Sequence, residues 1–147
     1  MAVATCDALG AERIAWLSTL PMIHTHDEMA LVHASPGSTW RSPGHEASDA
    51  DLESTYKPLG KAIAIYGHIH RSYIRRVGEM TIVNTGSVSL SYDGDRQAAY
   101  LLLDDMKASI RRVEYDVAKE VNALAGCGLP HSDWVARILE SGAPVMP

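Results

Sequence analysis

Two histidines one residue apart, His68 and His70, end the segment Tyr66-Gly67-His68-Ile69-His70, and a third, His33, follows the apolar run Met29-Ala30-Leu31-Val32. Imidazole is a favoured ligand for zinc, manganese, iron and their relatives, so the chemistry open to these residues is metal binding. Residues two apart in an extended chain project to one side, which would let the rings of His68 and His70 converge. A single His-x-His is weak evidence, because exposed loop histidines give the same pattern. His33 and a further polar segment, Asn84-Thr85-Gly86-Ser87 after the strand-like Met80-Thr81-Ile82-Val83, add to it.

These side chains need elements to carry them. Ala62-Ile63-Ala64-Ile65 is apolar at every position, as in a strand covered on both faces, and Gly67 marks where the chain leaves the sheet. Met29 to Val32 is a second such strand, and Ser35-Pro36-Gly37 turns the chain just after His33. Two buried-type strands thus release histidines where they stop, the place where sites form in open α/β sheets.

The remaining pattern alternates helix and strand. Leu9 to Leu20 reads as a helix stopped by Pro21, and Met22 to His26 as a short edge strand. Ser48 caps a helix with Leu52, Tyr56 and Leu59 on one face. Ser72 to Val77 and Met80 to Asn84 form a hairpin about Gly78-Glu79, and Gln97 to Leu103 pairs with Ala108 to Tyr115. Asp116 caps a helix, Ser132 opens a last one, and the tail from Gly142 has no core-forming pattern. Three features imitate chemistry. His24-Thr25-His26 lacks the buried run and the glycine, and reads as the polar face of an edge strand. Gly94-Asp95 belongs to a turn signalled by Asp93-Gly94. Arg75-Arg76 and Arg111-Arg112 are neighbours on strands, so each pair faces opposite ways and reads as solvated strand edge rather than a phosphate clamp.

The ordered set His33-Ala34-Ser35-Pro36, Gly67-His68-Ile69-His70, Asn84-Thr85-Gly86-Ser87 and Asp93-Gly94-Asp95-Arg96 leading into Ala98-Ala99-Tyr100 resembles the calcineurin-like metallophosphoesterases, most closely their small bacterial phosphodiesterase branch. The likeness runs from about Trp16 to Pro130, with Ala34, Ile69 and Thr85 where the family has glycine, threonine and proline. It implies a two-sheet β-sandwich flanked by helices, an α/β fold. It implies metal-dependent hydrolysis of phosphodiesters or phosphomonoesters by a dinuclear centre of Mn, Fe, Zn or Ni. On the family pattern His33 and His68 bind one ion and His70 the other, Asn84 and Ser87 shape the site loop, and Arg41, in the Ser35 to Gly44 loop over the site, reaches a substrate phosphate. The family's Asp-x-His, Gly-Asp and Asn-His motifs are not found ahead of His33. Three neutral imidazoles bring no negative charge to offset two cations. The expectation is therefore a single, partial domain over residues 1–147, the N-terminal part of the fold missing and no catalytic residue assigned. The rival expectation is a catalytically inactive scaffold or interaction protein with the same fold.

Composition bounds the rest. At 147 residues and 46% hydrophobic content there is enough chain for one core. A net charge of −5 argues against a nucleic-acid-binding patch or a basic membrane surface. Two cysteines outside any Cys-x-x-Cys read as reduced thiols, and no apolar stretch approaches a membrane span. The expected setting is cytoplasmic and the expected partner a phosphoester substrate. Exposed sheet surface leaves room for a homo-oligomer or another association.

Overall fold

The computed structural model describes residues 2–146. Its strands are β1 (Ile23–His26), β2 (Met29–Val32), β3 (Ile63–Tyr66), β4 (Tyr73–Val77), β5 (Met80–Asn84), β6 (Ala98–Asp104) and β7 (Lys107–Val113). The first five form one sheet in the order β1-β2-β3-β5-β4, and β6 and β7 form a second. β2, β3 and β5 are parallel, while β1 and β4 run antiparallel along the two edges. The central place of β3 follows from its sequence: all four of its residues are buried, as an unbroken apolar run requires. The mixed α/β, two-sheet expectation is met.

Alternation along β3 assigns each side chain to one of two cores. Ala64 and Tyr66 face the layer containing α2 (Asp49–Tyr56), packing with Leu52, Tyr56, Val77, Met80 and Ile82. Ile63 and Ile65 face the hairpin, where Leu101, Leu103, Ala108 and Ile110 cover them together with Val83. Each such buried aliphatic side chain contributes about 1.5–3 kcal/mol. Helix α2 begins where Ser48 Oγ accepts from Asp51 N at 3.1 Å, with Asp49 and Asp51 in the positive first turn.

One expectation is corrected. Helix α1 (Ala2–Ser18) starts earlier than the apolar spacing from Leu9 suggests and is interrupted at Gly10, whose φ of 74° and ψ of 164° are not helical. It buries none of its residues, and Trp16 remains 60% exposed. Helical spacing creates an apolar stripe, but only a neighbouring element can cover it. The tail, in turn, is docked. Gly142 closes α4 (Ser132–Ser141) in the left-handed conformation, Gly94 N donates to its carbonyl at 2.9 Å, and Trp134 Nε1 donates to Val145 O at 2.6 Å. These are backbone attachments, which hydrophobic patterning does not register. Between these, α3 (Val117–Gly126) is capped by Asp116, which accepts from Lys119 N at 2.9 Å. No helix of the described residues is long and apolar enough to cross a membrane.

Candidate metal centre

His33 leaves the end of β2, and His68 and His70 leave the end of the adjacent parallel β3, so the strand register itself brings them together. The ladder continues one step past both strands through Gly67 N donating to His33 O at 3.0 Å. The rings of His33 and His68 lie 5.4 Å apart, edge to face. His33, His68 and His70 all line a cleft of about 630 Å³ between the two sheets, with Met29, Leu31 and Ile65 on one wall and Tyr100, Leu101 and Leu103 on the other. Partial burial in the cleft, then the nearby His68 and His70, hold the pKa of His33 below the usual imidazole range, leaving a neutral ring that can act as a donor.

The backbone route to this arrangement differs from the extended one expected. His68 and His70 both have positive φ, 67° and 56°. Ile69 N donates to Gly67 O at 2.8 Å, tightening the turn, while the Ile69 side chain packs into the core beside α2. The two imidazoles still reach one cleft, but through left-handed residues that cost on the order of 1–3 kcal/mol each. Surrounding contacts must hold them. His70 Nδ1 lies 2.6 Å from Leu90 O, and because a carbonyl only accepts, that nitrogen carries the proton and Nε2 keeps the lone pair. The ring of Tyr92 rests against the His70 ring at 4.8 Å.

Asn84 is fully buried beneath the cleft. Its Nδ2 donates to Gly67 O at 2.6 Å and its Oδ1 accepts from Gly86 N at 3.0 Å, joining the histidine loop to the segment after β5. Ser87 lines the cleft and its Oγ accepts from Leu90 N at 3.0 Å, so it too organises the loop that reaches His70. Gly86 is required where it stands: at φ 75° a Cβ would meet Ser72 Cβ at 2.9 Å and Ala99 Cβ at 3.0 Å. Thr85 donates its N–H to Tyr66 O at 3.0 Å, a bond that proline in that position could not make. Arg41 is exposed on its loop and is not among the residues lining the cleft. His24 and His26 are exposed on β1, and His26 pairs with Asp27 at 3.3 Å. Leu90 and Tyr92 carry no signal in the sequence and Arg112 reads there as solvated strand edge, whereas Asp93 lies in both the turn signal and the family-like motif Asp93-Gly94-Asp95-Arg96.

The donor set fits a divalent transition-metal ion by chemistry, as imidazoles with one tautomer already set. It is a partial set. Among the described residues no group of three or more His, Cys, Asp and Glu side chains is close enough to hold an ion, and no carboxylate joins the histidines.

The calcineurin-like phosphoesterase superfamily domain matches residues 9–131. The chain belongs to that superfamily. The motif order fits its small bacterial-type branch. Among solved structures, a metallophosphoesterase from Sphaerobacter thermophilus superposes with a TM-score of 0.80 at 22% identity, over 93% of this chain and 65% of that one. The hypothetical protein PH1004 from Pyrococcus horikoshii OT3 does so with a TM-score of 0.78 at 19% identity, over 95% of this chain and 57% of that one. These likenesses establish the metallophosphoesterase fold, and this chain spans less than two thirds of the length of either relative. No curated protein matches it.

Proposed function

We propose that this chain supplies the imidazole part of a divalent-metal site for phosphoester hydrolysis, with His33 and His68 serving one ion and His70 another. The observation that carries the reading is the delivery of three imidazoles to one cleft from the ends of two adjacent parallel strands, with His33 and His68 only 5.4 Å apart. Mn, Fe, Zn or Ni suits such donors, and ions so held supply Lewis-acid polarisation and charge neutralisation for a phosphodiester or phosphomonoester. The residues of this chain bind and orient. His33 stays neutral, His70 presents Nε2, and Asn84 keeps the two site loops in register. Carboxylate oxygens for the rest of the donor set would come from outside the residues described.

Mn²⁺ titration of the purified chain tests the proposal. His33→Ala, His68→Ala and His70→Ala should each weaken uptake by about tenfold or more. A His68→Ala chain with unchanged metal content would refute the assignment. With Mn²⁺ added, a chromogenic phosphodiester should be turned over at background by this polypeptide alone, because the histidines have no carboxylate beside them. Robust turnover would overturn the view that the donor set is partial.

A further inference from the structure

We propose that the Arg112–Asp93 pair is a positioning device for His70, pinning the loop of residues 90–93 that holds this imidazole in its ligand orientation. The inference rests on reading His70 as a metal ligand, but it concerns groups outside the cleft.

The loop touches His70 three times. Leu90 O accepts from Nδ1 at 2.6 Å, the Tyr92 ring lies against the imidazole at 4.8 Å and 31°, and Tyr92 N donates to His70 O at 2.9 Å. His70 needs such support, since its φ of 56° is costly without it. The loop is irregular and must itself be held. Asp93, the next residue, is where it is fastened. Its carboxylate accepts from Arg112 Nη2 at 2.5 Å, from Ser91 Oγ at 2.7 Å, from Ser72 Oγ at 3.2 Å and from Asp95 N at 3.2 Å. Arg112 also meets Asp95 at 3.3 Å and donates to Ser72 Oγ at 2.9 Å.

Two features make this a clamp rather than a surface ion pair. The guanidinium and the Asp93 carboxylate are 26% and 18% exposed, so solvent screens them little, and the guanidinium engages several acceptors at once. Arg112 also sits on β7 in register with Ala99 of β6, so it ties the loop to a paired hairpin. Ser72, two residues past His70, closes the circuit back to the ligand. Neither Arg112 nor Asp93 lines the cleft.

The test uses the full chain, metal-free and then with Zn²⁺ alone. Long-range ¹H–¹⁵N spectra of the metal-free protein should show His70 as the Nδ1–H tautomer. Asp93→Asn and Arg112→Ala should give a mixture of tautomers at His70 and weaken Zn²⁺ binding by about tenfold, as losing outer support for a ligand does. Arg112→Lys, which keeps the charge without the fork, should recover most of the Nδ1–H population. Ser72→Ala removes one contact of Asp93 and one of Arg112 but keeps the ion pair, a milder loosening of the clamp. It should shift the tautomer in the same direction, and so keeps the proposal testable if the stronger variants unfold. An unchanged His70 tautomer in Asp93→Asn and Arg112→Ala, or in a folded Ser72→Ala should both of those unfold, overturns the proposal. If His70→Ala binds Zn²⁺ as tightly as the parent chain, the ligand reading falls instead, while the tautomer result still decides the positioning claim.

Discussion

Replacing Asn84 should separate the site's architecture from its chemistry. The side chain is fully buried and makes two hydrogen bonds, to Gly67 O at 2.6 Å and from Gly86 N at 3.0 Å. In Asn84→Ala the Gly86 N–H loses its partner in a partly buried setting, at a cost of about 1–3 kcal/mol. Gly67 O keeps a donor, Ile69 N at 2.8 Å, so its loss lies at the level of an ordinary hydrogen bond, about 0.5–1.5 kcal/mol. The sum is about 1.5–4.5 kcal/mol, a large fraction of the 5–15 kcal/mol that holds a typical domain together. For a chain of this length it should lower Tm by on the order of 10 °C. Asn84→Asp is the sharper probe. A carboxylate there would face Gly67 O with no proton to donate, whereas the protonated acid restores the donor. The folded state therefore takes up a proton that the unfolded chain does not hold near neutrality. A carboxyl pKa raised by folding gives stability that is present at low pH and lost as pH rises. Urea unfolding of Asn84→Asp should thus approach that of the parent chain near pH 5 and fall well below it at pH 8, while Asn84→Ala stays displaced by a constant amount. A loss under about 0.5 kcal/mol in Asn84→Ala, the size of an ordinary surface change, or a pH-independent Asn84→Asp would rule out this role for the Asn84 amide.

Two other outcomes follow from the same region. Gly86→Ala should cost at least about 1–3 kcal/mol from its positive φ alone, with the contacts to Ser72 and Ala99 adding to that, whereas Gly37→Ala, with open space around it and an ordinary φ, should unfold at nearly the parent urea midpoint. Asp93 should make the chain acid-sensitive. Burial pushes its pKa up, but hydrogen bonds from Arg112, Ser91 and Asp95 N outweigh that and bring it down to about 2 from 3.8. A carboxyl pKa lowered by folding contributes stability that is full above the unfolded value and lost as pH falls from 3.8 through about 2. Arg112→Ala removes one of the contributions that hold this pKa down, so it should cost more stability at pH 7 than at pH 2, measured by chemical unfolding at both pH values.

Much of the fold could be read directly because its signals are local. Unbroken apolar runs mark β2 and β3, but only β3 is covered on both faces as such a run suggests; in β2 Leu31 stays 39% exposed. Ser48 and Asp116 mark helix starts because a cap bonds only to its own first turn. Two strand-like runs four residues apart, Gln97 to Leu103 and Ala108 to Tyr115, mark the β6–β7 hairpin, and Asp105 and Met106 take positive φ in the turn between them. The three histidines stood out because each follows a strand or its glycine. Period-two alternation predicted that His68 and His70 would reach the same side, and they do, but through left-handed residues and an inward-facing Ile69.

What the amino-acid order determined alone is the set of strands, the turns between them and the histidines at their ends, because periodicity, caps and turn chemistry act over a few residues. Tertiary structure decided the rest. Arg112 was expected on a solvated strand edge, yet pairing with β6 turns it towards Asp93, 19 residues earlier. Leu90 meets His70 across 20 residues of chain, and Asn84 reaches Gly67 across 17. Helix α1 shows the converse, since its apolar residues suggest burial and no neighbour covers them. Contacts of that kind depend on which strands lie side by side and on what packs over them, and no window of neighbouring residues carries that information.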